Sequence, residues 1–88
     1  MIARIIEDLL NEEGDEIPSR AGMSFGDGNV EGKLYIVRLL DDDRIPYFVG
    51  ISDDASLEPL YEWGMHDSGT TILQIMDLKT YEWEDCIG

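Results

Sequence analysis

Two stretches of this chain carry apolar residues on both faces, "KLYIVRLL" (Lys33–Leu40) and "TTILQIMDL" (Thr70–Leu78). The first is rich in β-branched and aromatic residues, and neither approaches the ~18 residues of a membrane span. Runs of that length and composition, apolar on both faces, fit central strands. Central strands need neighbours, and the flanking sequence supplies them. "IPYFVGIS", Ile45–Ser52, is a second strand, with Pro46 at an edge or first-residue position. Residues 41–44 lie between it and the first strand at hairpin-loop length. "KTYEWEDC", Lys79–Cys86, alternates, with Tyr81 and Trp83 on one face and Glu82 and Glu84 on the other; residues 77–80 close that hairpin.

Two helices are expected beside these strands. In "IARIIEDLLNEEGDE", Ile2, Ile5, Ile6, Leu9 and Leu10 fall at i, i+3, i+4, i+7 and i+8, one apolar stripe, and Gly14 is a natural stop. Glu7, Asp8, Glu12 and Glu13 lie off the stripe. "DDASLEPLYEWG" reads as a short helix with Ser56 or Asp54 as N-cap, Pro59 in its first turn and Gly64 at its end. Leu57, Leu60 and Tyr61 can face the core, and "HDSG" is then a turn. Residues 17–32, rich in Gly, Pro, Ser and Asn, form a long loop with one short edge strand near residues 23–25. The expectation is a single α+β domain over residues 1–88. Its order is α-β-β-α-β-β, with a mainly antiparallel sheet and helices packed on one face.

Charge is the outlier. The 88 residues hold 20 carboxylates against six Lys plus Arg, net −14. Self-repulsion on that scale destabilises a compact state, while 43% apolar residues are enough to fold one. Such a surface repels nucleic acid and acidic membranes and attracts basic partners. Adaptation to high salt is an alternative, and the presence of only two lysines, Lys33 and Lys79, suits it. The single cysteine, Cys86, forms no internal disulfide and no CxxC metal pair, and a cytoplasmic location is expected.

No catalytic constellation stands out. His66 is the one histidine, and a reactive cysteine needs an electropositive setting, whereas Cys86 has Glu84 and Asp85 beside it. "DDDRIPYFVGIS" begins like an EF-hand loop but has no Gly at position 6 and no Glu at position 12. No cofactor, metal or enzymatic activity is therefore expected, and a metal-binding regulatory domain is a remote alternative. The acids fall into clusters. Glu7, Asp8, Glu12 and Glu13 form the first, continued by Asp15 and Glu16. Asp41, Asp42 and Asp43 form the second, and Asp53 and Asp54, continued by Glu58 and Glu62, the third. Glu82, Glu84 and Asp85 form the fourth. Carboxylates at i and i+2 of a strand lie ~6.7 Å apart, of the order of the phosphate interval along a nucleic-acid strand.

"LYIVRLLDDDRIPYFVGIS" resembles the first hairpin of GIY-YIG nucleases, with Tyr35 and Phe48-Val49-Gly50 at the two motif positions. The departures are Phe48 in place of the second Tyr and no arginine in "SLEPLYEW" for the family's catalytic one. In length, acidity and lack of a catalytic motif, the whole chain looks like phage-encoded inhibitors of host defence, including anti-CRISPR proteins that mimic DNA. That resemblance implies a non-enzymatic inhibitor, in the host cytoplasm, that docks on the basic nucleic-acid-binding surface of a nuclease or defence-complex subunit. It implies no direct binding of nucleic acid or membrane. Trp83 and Tyr81, with Trp63 and Tyr61, are candidate aromatic anchors. The alternative is an immunity or antitoxin protein that neutralises a basic nuclease.

Overall fold

The computed structural model describes residues 2–10, 19–26, 28, 34–54 and 56–87. These form β1 (Ala3–Asp8), β2 (Ser24–Phe25), β3 (Tyr35–Leu40), β4 (Pro46–Ser52), α1 (Glu58–Ser68), β5 (Ile72–Asp77) and β6 (Glu82–Ile87). All strand pairings are antiparallel, in one six-stranded sheet of order β2-β1-β4-β3-β5-β6. With α1 on one face, the fold is a small α+β structure. β3, β4 and β5 lie where the apolar runs predict strands, and Pro46 opens β4 rather than interrupting it. β2 is the short edge strand expected within the loop.

The order is β-β-β-β-α-β-β, and the expected first helix is a strand. β1 pairs with β2 on one side and β4 on the other. The apparent helical spacing has a physical source in a β-bulge. Ile5 faces Gly50 and Glu7 faces Val49, so Ile6 is an extra residue in the strand. A bulge breaks the period of two and sets two isoleucines side by side, which imitates helical spacing. Two β-branched residues there also favour extended backbone. Ala3 and Ile5 are buried on the helix side, whereas Ile6 is 48% exposed.

α1 differs from expectation at both ends. Leu57 stands at its N-cap with no side-chain cap, and Asp54 instead accepts the Ser56 N–H at 2.8 Å. Pro59 occupies the first turn, where its missing N–H costs nothing. The helix does not end at Gly64 but runs on to Ser68. Gly69, at φ 75°, is the left-handed C-terminal residue, and its N–H donates to the Met65 carbonyl at 3.0 Å. Gly64 is a glycine for packing. A Cβ there would lie 2.4 Å from Thr70 Oγ1 and 2.7 Å from Leu39 Cδ1. The helix rests directly on β3 at that point.

The core lies between α1 and the sheet, where Ile5, Val37, Leu39, Phe48, Leu57, Leu60 and Leu73 form one buried cluster. Register aligns them: Val37 faces Gly50 and Ile75, and Leu39 faces Phe48 and Leu73. Trp63 closes one flank, with ring centroids 5.3 Å from Phe25 and 5.0 Å from Phe48. The Asp8 side chain is fully buried there. It accepts the N–H groups of Leu10 and Arg20, and the Arg20 guanidinium bridges it to Asp67 on α1 at 3.6 and 3.3 Å.

Candidate partner-binding surface

The Asp41–Ile45 loop uses most of its charge internally. The Asp41 carboxylate accepts the N–H groups of Asp43 and Ile45, each at 2.9 Å, and the Tyr47 hydroxyl. The Ile45 N–H first, then the Tyr47 hydroxyl and Asp43 N–H, hold Asp41 below the ordinary carboxylate pKa, and the same contact raises that of Tyr47. Asp42 accepts the Thr71 hydroxyl. This ties the loop to the start of β5, leaving Asp43 as the loop's solvated acid. Arg44 takes a left-handed φ of 64° and grips Asp85 with two N–H groups at 2.9 and 3.2 Å. Among the described residues, no three His, Cys, Asp or Glu side chains converge as a metal site.

Asp85 anchors a polar network on the sheet face away from α1. Its Oδ1 also accepts Gln74 Nε2 at 2.6 Å, and Gln74 Oε1 accepts Arg38 Nε at 2.6 Å. Arg38 lies over the Trp83 ring, 4.5 Å from its centroid. The Arg44 and Gln74 hydrogen bonds depress the Asp85 pKa, and the Asp85 bond raises that of Arg44. Burial, followed by repulsion from Arg44, lowers that of Arg38. Trp83 is thus held beneath a cation. Tyr81, at the β5–β6 turn, is 75% exposed. Trp63 belongs to the core, and the Tyr61 hydroxyl donates to the Thr71 carbonyl at 3.1 Å.

The remaining acids are dispersed. Asp53 and Asp54 lie past the end of β4 opposite the Asp41–Ile45 loop, about 26 Å away at the rise of an extended chain. Asp53 accepts the Ile2 N–H at 2.8 Å. Glu7 faces Val49, away from α1, whereas Asp8 is buried in the Arg20 bridge. Glu12 and Glu13 lie outside the described residues, as do Asp15 and Glu16. The four clusters of the sequence therefore do not make one continuous surface among the described residues.

A different grouping emerges beside β6, at the sheet edge. Glu84 faces Ile75, Glu82 faces Asp77 and Ile87 faces Leu73, which places all three on the helix side. Cys86 is the extra residue of a second bulge that brings Ile87 into this row. Glu58, Tyr61, Glu62, Met65 and Ile87 enclose an open groove of about 310 Å³. Tyr61, Met65 and Ile87 give it apolar lining, and Glu58 and Glu62 of α1 add carboxylates. Among the described residues, no hydrogen bond or ion pair engages the carboxylates of Glu58, Glu62, Glu82 or Glu84. Met65 escapes sequence reasoning because ending the helix at Gly64 removes it. Once α1 runs to Ser68, the i, i+4, i+7 series Glu58, Glu62, Met65 gives the signal.

No family model matches the chain, and neither a curated protein nor a solved structure matches it. The functional reading therefore rests on these residues. Among the described residues, no helix is long and apolar enough to cross a membrane.

Proposed function

We propose that this protein is a non-enzymatic inhibitor that binds a basic, nucleic-acid-binding surface of a larger protein and blocks it. One observation carries the reading, namely the unequal fate of the two kinds of charge. Among the described cations, Arg20 and Arg44 are ion-paired within the molecule and Arg38 is stacked on Trp83, while Arg4 and Lys79 stay exposed. The carboxylates of Glu58, Glu62, Glu82 and Glu84 are left to solvent, in a chain of net −14. The field is outward and negative, which speeds encounter with a basic partner and opposes contact with nucleic acid. Spacing supports the same reading, since Glu82 and Glu84 repeat at ~6.7 Å, of the order of a phosphate interval.

The test is capture followed by competition. The immobilised protein should retain a basic nucleic-acid-binding protein at low salt and release it to excess duplex DNA or to rising salt. The captured partner should lose its own DNA binding when the inhibitor is added. Retention that excess DNA leaves unchanged contradicts the reading. A captured toxin nuclease, encoded beside the inhibitor, would point to an immunity protein.

A further inference from the structure

The outer edge of β6 is unpaired among the described residues, since β6 ends the sheet and bonds only to β5. An unpaired edge is a template for another strand, and charge on it restricts which strands can add. A second β6 laid antiparallel would set glutamate against glutamate. An acidic or neutral strand gains little from Glu82 and Glu84, whereas one carrying Lys or Arg at alternate positions pairs with both. The groove adds a second requirement. Tyr61, Met65 and Ile87 offer apolar surface, with Met65 itself 41% exposed. Glu58 and Glu62, one helical turn apart, repeat at ~6 Å, close to the ~6.7 Å side-chain repeat of an extended chain. Lysine and arginine stems lie readily on such apolar surface while their charged ends reach carboxylates.

We infer that β6 and the α1–β6 groove receive an extended basic segment of the partner, which adds as a strand beside β6. It sets alternate Lys or Arg side chains against Glu82 and Glu84 and seats one apolar side chain against Met65 and Ile87. This assignment rests on the proposed function and names the part of the surface that does the binding.

The probe is a labelled peptide of about seven residues with Lys at alternate positions and a terminal Leu, long enough for one strand. Anisotropy at about 50 mM and about 500 mM NaCl reads affinity and its screening. Amide hydrogen exchange reads strand addition. The expected result is binding at low salt, slowed exchange confined to β6, and about tenfold weaker binding by the Glu62→Gln/Glu82→Gln/Glu84→Gln variant. Glu7→Gln, on β1 and on the opposite face of the sheet, should bind as wild type does. Binding without β6 protection, or undiminished in the triple variant, overturns the groove assignment and leaves the proposed function standing if the whole partner is still captured. No binding of the peptide overturns the assignment, and failure to capture any basic protein overturns both.

Discussion

The Asp41–Ile45 loop and the α1–β6 groove are both acidic, yet their carboxylates do opposite work. In the loop, Asp41 is bonded to its own backbone, Asp42 to Thr71, and the adjacent Arg44 to Asp85. Removing a charge there removes a fold contact. Beside the groove, Glu58, Glu62, Glu82 and Glu84 hold nothing in place among the described residues and repel one another through solvent. Removing a charge there relieves the fold and costs only what the charge does for a partner. Equal density of acid in the sequence thus conceals two populations, distinguished by the donors within reach.

The sharpest way to break the groove and spare the loop is Gly64→Ala. The added methyl meets the Thr70 and Leu39 side chains, so these must repack or α1 must shift on β3. We expect a loss of about 3 kcal/mol, the upper range for overpacking, read as an earlier urea midpoint. Slow hydrogen exchange at the Ile45 amide should persist at low denaturant, since the Asp41 turn does not depend on α1. Equal destabilisation of both regions would mean that they are one unit.

Asp8→Ala extends the comparison to an acid that looks like a surface charge in the sequence. It leaves two backbone N–H groups and the Arg20 guanidinium without their shared buried acceptor. A loss of about 2 kcal/mol is expected. Asp8→Asn, which keeps an acceptor, should lose less. A neutral Asp8→Ala would place this carboxylate in the solvated population.

Asp8 also shows where sequence reasoning stops. The apolar runs of β3, β4 and β5 make their strand character legible, because both faces of each are packed by neighbouring side chains. The Ile5-Ile6 pair misleads because a bulge mimics helical period, and the bulge is specified by pairing with β4, some 45 residues distant. Gly64 reads as a stop because the need for a missing side chain comes from Leu39 and Thr70, on other elements. The candidate site follows the same rule. Glu82 and Glu84 are legible as one face of a strand from alternation alone. Their proximity to the helix-side groove, and the loss of Asp8, Asp41 and Asp85 to internal bonds, depend on contacts across the fold.

Charge neutralisation should give a smaller effect, of opposite sign in the two regions. Glu82→Gln/Glu84→Gln should leave the urea midpoint unchanged or raise it by a few tenths of a kcal/mol, the scale of surface pair terms. Asp41→Ala should lower the midpoint, because the turn loses the acceptor for two N–H groups. The same sign in both variants would erase the distinction.

The pH profile carries the smallest effect and tests the bonded population. Asp41 and Asp85 have folded pKa values below the ordinary carboxylate value. Their contribution is fully present above about pH 4, the unfolded value, and is lost as pH falls through the depressed folded values. Stability measured by urea midpoint should therefore fall below about pH 4. An Asp41→Asn/Asp85→Asn variant should show a shallower acid fall than the wild type, since it lacks the two depressed carboxylates. At about 1 M NaCl the difference should remain, because hydrogen bonds to Asp41 and Asp85 are short-range. An acid limb of equal steepness in both proteins would mean that these bonded carboxylates hold no more of the fold than the solvated ones, and the contrast between loop and groove would lose its energetic basis.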